Sequence, residues 1–414
     1  MSAQPAAPAD VRPVSLLPVY LAIFGVYTGQ QILTPVLPPL ARELGLTEVQ
    51  LGVVFSVAAG LVVVSSSFWG RLTEVRGRKP VLVACMLGAA LGLALFTALA
   101  TVGLSGTLST TAVFVLVLLF RSVLFGFAWA GVPVAAQSYV ADVTTGEQER
   151  VRAISKIGAA QGLSLVLGPA LGGLLAAGGL LLPMYVAPVV IVVFACLVWL
   201  RLPREQRHTE RVRPPRLSPF DARLWPFLLT SFGLFLSLGV MQITVAFLLQ
   251  DTLRLSPEET AALAGVAMLC AGLPFLLVQA AAVPKLGWAP ARLLRTGVAV
   301  AALGFLGIVL GSGLAVILAG LALVGVGLGL AVPGCTAAPT LLVAANEQGA
   351  VAGLGSAANA ATFVIGPLIG TALYRLGPVY PYLTAFGVLA LLFVFTLLHP
   401  GIRATPGVSP AGRR

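Results

Sequence analysis

Arg121 is the residue whose presence most demands a chemical reason. It lies near the middle of an apolar run, 112–137. A guanidinium held at that depth costs roughly 2.5–3.5 kcal/mol on insertion scales and is kept for a ligand or a partner. The sequence offers it no acid. All fourteen carboxylates, from Asp10 to Glu347, fall in connecting segments or at the ends of apolar runs. Phe125 and Trp129 follow on the same helical face, at i+4 and i+8. The first apolar run carries a polar face of its own, with Tyr27, Gln30, Gln31 and Thr34 spaced at i, i+3, i+4 and i+7. Gln161, Gln242 and Asn359 add amides within other runs. One fixed cation among amides, a phenol and aromatic rings, with no buried acid, suits an anionic, carboxylate-bearing or phosphate-bearing ligand and disfavours a lipophilic cation. Each amide could equally bond a neighbouring helix. Arg121 could also extend toward a headgroup layer, although mid-depth makes that reach poor.

Other chemistries lack their parts. The two histidines, His208 and His399, fall in a polar stretch and at the edge of a run. The four cysteines, Cys85, Cys196, Cys270 and Cys335, sit inside or beside apolar runs without paired spacing. They read as small packing residues, not as a disulfide set or a metal site. No catalytic residue, metal site or cofactor is expected. An enzyme embedded in a membrane is disfavoured, and so is a receptor.

The elements that must position these residues are set by composition. Of 414 residues, 58% are hydrophobic and 9% charged, far below the quarter typical of soluble domains. A bilayer crossing takes about 20 apolar residues. Twelve such runs are present, near 17–37, 50–69, 80–101, 112–137, 155–178, 180–200, 225–249, 261–283, 291–312, 314–338, 349–373 and 378–399. They must be helical, because hydrocarbon leaves no partner for an open backbone. They are too long, and too little alternating, for barrel strands. With the N-terminus inside, 21 of the 25 Lys and Arg fall in cytoplasmic segments, while outer segments hold only Arg42, Arg254 and Arg375. This positive-inside pattern places both termini in the cytoplasm. The net charge of +11 is therefore a topology signal and not a nucleic-acid footprint. The first run is too long for a signal-peptide core. The expected organisation is a cytoplasmic tail (1–14), a six-helix bundle (15–201), an Arg- and Pro-rich cytoplasmic linker (202–224), a second six-helix bundle (225–400) and a tail (401–414).

A second chemical cluster, "GRLTEVRGRKPVLVAC" from Gly70 to Cys85, sits between the second and third runs. Its spacing, Gly70-x-x-x-Glu74-x-x-Gly77-Arg78-Lys79, closely resembles motif A of the major facilitator superfamily, with Glu in place of Asp. In that family the acid abuts the start of helix 11, and the Arg after the second Gly pairs with an acid ending helix 4. The resemblance implies that Gly70, Glu74, Gly77, Arg78 and Asp142, the last in "YVADVT", form a latch across two halves in the outward-open state. Helix 11 begins near Gly349, where a helix dipole favours a carboxylate. A loop that merely sets topology would need neither the acid nor the spaced glycines. Arg121 and Gly126 resemble motif B loosely, with a spacing of five where the family has four and Leu124 where Gln is usual.

The fifth run carries Gly158, Gly162 and Ser164, then "GPALGG" with Gly168, Pro169, Gly172 and Gly173. This resembles motif C of proton-driven exporters, with Ser164 replacing a customary Gly. Small residues let helices 5 and 8 approach closely, and Pro169 bends the helix. The element recurs 198 positions later as "GPLIGT", with Gly366 and Pro367; at the same offset Glu149 matches Glu347 and Gln161 matches Asn359. Two related six-helix bundles with a site between them fit a parallel repeat.

The resemblance covers residues 15–400 and is similar to the twelve-helix drug:proton antiporter branch. It implies an all-α membrane protein of the bacterial inner (plasma) membrane, monomeric, working by alternating access. The expected function is proton-coupled export of an anionic or carboxylate-bearing compound or drug; proton-coupled import of an organic anion is the alternative. The expected partners are a small-molecule substrate, protons and the lipid bilayer, with no nucleic acid. With no acid in mid-membrane, Asp142 is the expected proton carrier and Glu74 the second choice.

Overall fold

A computed structural model describes residues 15–144, 147–203, 217–311, 313–344 and 347–403. The tail 1–14, the linker segment 204–216 with His208, and residues 404–414 lie outside the described residues. Among the described residues the chain is helical, with no strand.

The first half contains α1 (Leu17–Ile32), α2 (Leu37–Glu43), α3 (Glu48–Arg76), α4 (Arg78–Leu104), α5 (Thr110–Val117), a π-helical segment (Leu118–Leu124), α6 (Phe125–Val143), α7 (Glu147–Ala176) and α8 (Leu182–Arg201). The second half contains α9 (Trp225–Leu253), α10 (Pro257–Leu277), a second π-helical segment (Val278–Ala282), α11 (Val283–Leu286), α12 (Pro290–Leu310), α13 (Leu314–Leu341), α14 (Gln348–Leu376), α15 (Tyr380–Leu398) and the short α16 (Pro400–Arg403). Counting Thr110–Val143 and Pro257–Leu286 as single rods, eleven helices among the described residues are long and apolar enough to cross a membrane. The first apolar run differs from the twelve-run expectation because it is broken. Pro35 supplies no N–H, and the chain turns through bonds from Thr34 N to Gln31 O and from Val36 N to Leu33 O before α2 begins. A 16-residue helix and a 7-residue helix result where one long helix was expected.

Local sequence explains the other boundaries. Thr47 and Gln50 form a capping box at the start of α3, and Ser256 and Glu259 form another at α10. Gly77 separates α3 from α4 at φ 91°, a region costly for any residue with a Cβ.

The two halves repeat one pattern of neighbours. In the first, α1 packs on α7 and α8, α4 on α6 and α8, and α3 on α6. In the second, α9 packs on α14 and α15, α12 on α13 and α15, and α10 on α13. The halves meet along two seams related by the same correspondence, α3 against α14 and α7 against α10. Glycines bring the seams to backbone contact. A Cβ on Gly52 would stand 2.9 Å from the Pro367 carbonyl, and one on Gly265 would stand 2.6 Å from the Gly173 Cα.

Both contacts lie toward one end of the bundle, where Arg42, Glu48 and Asp251 also lie; it is called here the Arg42 end. The opposite, basic end holds Arg76, Arg78, Asp142, Arg201 and Arg223. There the halves stand apart. A Cβ on Gly158, Gly349, Gly353 or Gly355 would meet nothing within 4 Å, and the first turns of α7 and α14 are largely exposed. The bundle is thus closed at the Arg42 end and parted at the basic end.

Candidate functional site

Arg121 occupies the π-helical segment between α5 and α6. Two contacts with α3 seat that segment. The Ser122 hydroxyl donates to the Val54 carbonyl at 2.6 Å, and Gly126 lets the α6 backbone approach Ala58. The guanidinium carbon then lies 4.6 Å from the Phe125 ring centroid and 5.6 Å from that of Phe55 on α3. Arg121 is 2% exposed. It has no ion pair or hydrogen bond among the described residues, and its buried Nε is without a partner. Aromatic faces attract a cation, but they satisfy none of the five N–H donors of a guanidinium. Among the described residues the buried Nε–H of Arg121 is thus left without an acceptor.

The π segment also accounts for the irregular Arg121–Gly126 spacing. Phe125 N bonds back to Phe120 O, five residues away. Residues i and i+5 stack in a π-helix much as i and i+4 stack in an α-helix.

A second cluster forms where α1, α6 and α7 converge. The Gln161 amide donates to the Tyr27 hydroxyl at 3.0 Å, and the Tyr27 and Trp129 rings lie 4.8 Å apart. The Trp129 indole N–H and the Gln30 side-chain Oε1 are buried without partners among the described residues. Buried polar atoms are ordinarily satisfied, so these two are exceptions. The Gln31 Nε2 is likewise buried without a partner among the described residues. Gln31 packs against Gly168 on α7 and accepts from Thr34 at 3.3 Å. In the second half Ser231 on α9 donates to the Asn359 side-chain oxygen at 3.0 Å. Gln161–Tyr27 and Asn359–Ser231 thus join corresponding helix pairs, at the repeat offset already read between Gln161 and Asn359. Gln242 lies half-buried on α9.

The small residues divide by neighbour. Gly168 and Gly172 admit α1, whose Gln31 and Ile32 lie against them, and Gly173 admits α10. Gly366 faces Gly239 on α9, and the Pro367 carbonyl faces Gly52. Gly158 and Gly162 lie on the parted half of α7, where a Cβ on Gly162 would reach only Leu276 at 3.9 Å. Ser164, standing where a glycine was anticipated, accepts from Thr28 at 3.0 Å and donates to the Phe24 carbonyl at 3.1 Å, tying α7 to α1.

At the basic end Arg78 and Asp142 meet. Arg78 Nε lies 2.6 Å from Asp142 Oδ2, and Nη2 donates to Oδ1 at 3.2 Å. Both belong to the first half. The pair joins the start of α4 to the end of α6, and Lys79 lies over the Trp199 ring of α8 at 5.4 Å. Glu74 is half-buried in the last turns of α3, and a Cβ on Gly70 would stand 4.0 Å from Val134 Cγ1. The Arg78 and Asp142 side chains are only 8% and 12% exposed, so removing either one breaks a largely buried, charge-assisted contact. Arg78→Ala and Asp142→Asn will each lower stability in detergent by about 1.5–3 kcal/mol. The double variant will be little worse than the poorer single one. Thermal unfolding of the four proteins checks this, and strictly additive losses would mean the two residues act separately.

The sequence reading missed Phe55 and a polar clasp at the Arg42 end. Arg42 on α2 donates to Glu48 through Nη2 at 2.9 Å and Nε at 3.2 Å. It also reaches α9, donating to Asp251 through both terminal nitrogens and to Gln250 at 3.0 Å, with its guanidinium 4.7 Å from the Phe247 ring. Tyr374 on α14 donates to Asp251 at 2.6 Å.

A family profile described as Major Facilitator Superfamily matches residues 19–358. Multidrug resistance protein 2 of Bacillus subtilis is 25% identical over 376 residues, which are 88% of this chain and 89% of that protein. The class G tetracycline resistance protein of Vibrio anguillarum is 32% identical over 197 residues, 46% of each chain. The crystal structure of the human organic anion transporter MFSD10 superposes with a TM-score of 0.62 at 20% identity, over 94% of this chain and 100% of that one, a likeness of fold.

Proposed function

We propose that this chain, which belongs to the Major Facilitator Superfamily, is a multi-pass transporter that exports an anionic or carboxylate-bearing compound by alternating access. Family membership and relatives named for multidrug and tetracycline resistance support transport and efflux. The observation that carries the substrate class is Arg121, buried and without a carboxylate or hydrogen-bond partner among the described residues. A carboxylate or phosphate supplies the paired acceptors that a guanidinium fork requires. The free Trp129 N–H and the Gln30 oxygen, beside Tyr27 and Gln161, would hold the remainder of the ligand.

The orientation follows from the positive-inside charge distribution, with both termini cytoplasmic and α1 with α2 counted as the first of twelve crossings, six in each bundle. In that orientation the parted basic end faces the cytoplasm. Substrate enters there, and the halves then rock to open the Arg42 end. Protons are the proposed coupling ion. Asp142 is the preferred carrier and Glu74 the second, since both lie where cytoplasmic water reaches and where the Arg78 pairing can change with conformation. Import of an organic anion with protons would use Arg121 in the same way.

The deciding experiment is flux in proteoliposomes with an imposed pH gradient, comparing aromatic carboxylates with lipophilic cations. The expected result is anion flux driven by the gradient in the export direction, with weakened pH response in Asp142→Asn. Cation flux without anion flux would overturn the substrate class, and gradient-driven flux in the opposite direction would make the carrier an importer.

A further inference from the structure

We propose that Arg42 is a shared gating cation, handed between Glu48 of its own half and Asp251 of the other, and that this exchange opens and closes the Arg42 end. The proposal rests on the alternating-access reading above, which requires this end to open.

In the present conformation Arg42 is divided between two acids. Glu48 opens α3 and holds Arg42 through Nε and Nη2. Asp251 closes α9, and together with Gln250 and the Phe247 ring it holds Arg42 from the second half. Asp251 is divided as well, since it accepts from Arg42 and from the Tyr374 hydroxyl of α14 in its own half. When the halves part, Arg42 therefore retains Glu48 and Asp251 retains Tyr374. Neither group is stranded, and stranding would impose the large cost of an unpaired, partly buried charge. A clasp whose members each keep a partner on their own side closes reversibly. A simple two-member bridge would close more tightly but would resist release.

This arrangement predicts effects of opposite sign from neighbouring carboxylates. Losing Asp251 weakens only the closed state, so opening becomes more frequent. Losing Glu48 removes the acceptor that keeps Arg42 in the open state, so opening becomes rarer. Tyr374→Phe acts like the loss of Glu48, because Asp251 then depends wholly on Arg42. A purely structural charge cluster would respond to all these changes with the same sign.

Thr371 provides the readout. It is fully buried in the α3–α14 seam beside Gly52, so a cysteine there is modified only when the seam opens. In full-length protein with its four native cysteines replaced, the rate of Thr371→Cys modification by a small charged methanethiosulfonate reports the opening equilibrium. Asp251→Asn and Arg42→Gln should raise that rate on the order of fivefold. Glu48→Gln and Tyr374→Phe should lower it about threefold. Thermal unfolding confirms that each variant is folded, and Asp251→Asn retains the clasp's shape should Arg42→Gln fail. An unchanged rate in Asp251→Asn would overturn the gate, and a raised rate in Glu48→Gln would overturn the exchange. Labelling requires no substrate. If the labelling rates move as expected but no solute is transported, the proposed function fails while the clasp stands.

Discussion

Replacing Arg121 with methionine will cut anion transport on the order of ten- to a hundredfold and leave the protein at least as stable as the wild type. The two effects have one cause. A buried guanidinium without a hydrogen-bond partner among the described residues contributes nothing to folding that a flexible apolar side chain of similar length cannot supply, and it costs desolvation. Its value lies in the bond it forms with the substrate. A charge-assisted hydrogen bond contributes about 1.5–3 kcal/mol, which corresponds to a loss of flux on the order of ten- to a hundredfold. Arg121→Lys should recover part of the activity, because the charge remains while the planar fork is lost. Flux in proteoliposomes and thermal unfolding in detergent, measured on the same preparations, separate the alternatives. If methionine transports normally, the anion binds elsewhere. If methionine unfolds the protein, Arg121 has a structural role that its contacts with Phe55 and Phe125 do not reveal.

Arg121 was legible in the sequence because a charge within an apolar run is rare and depth follows from counting. Its aromatic surroundings were half legible. Phe125 shares its helix and follows from periodicity, whereas Phe55 lies on α3 and only the fold brings it near. The π-helical segment was not legible at all. Its signature is one extra residue between Arg121 and Gly126, which by itself reads as a poor match to a motif. The polar residues of the first run share a helical face by spacing, but their contacts diverge. Tyr27 meets Gln161, while Gln31, one turn further, is taken up by the close approach of Gly168. The break at Pro35 was visible as a residue but not as a consequence, since prolines are also accommodated within membrane helices. The clasp at the Arg42 end had the weakest signal. Arg42 and Asp251 are 209 positions apart, and each stands at the end of an apolar run, where a charge is ordinary. Internal similarity at the 198-residue offset was more informative, because it relates positions in three dimensions. Gln161 and Asn359 do bond to corresponding helices.

Gly265→Val will trap the carrier with its Arg42 end open and reduce transport at least tenfold. Here the seam between α7 and α10 is a backbone contact. A Cβ at position 265 would lie 2.6 Å from the Gly173 Cα and 2.7 Å from the Pro169 carbonyl, and neither atom belongs to a side chain that could turn away. Accommodating valine requires α7 and α10 to separate. Overpacking of a rigid contact costs about 1–3 kcal/mol. In a two-state carrier that cost falls on the state in which the seam is closed, so the population moves toward the other state while the protein remains folded. On the order of five- to a hundredfold fewer molecules would then reach the closed state, and transport falls because each cycle must pass through it. The Thr371→Cys modification rate should rise in parallel. Gly158→Val serves as the comparison, because the same added atoms at that position meet open space and should not oppose this conformation. If Gly265→Val transports normally with an unchanged labelling rate, the α7–α10 contact can separate without cost, and closure of the Arg42 end must depend on the α3–α14 seam and the clasp alone.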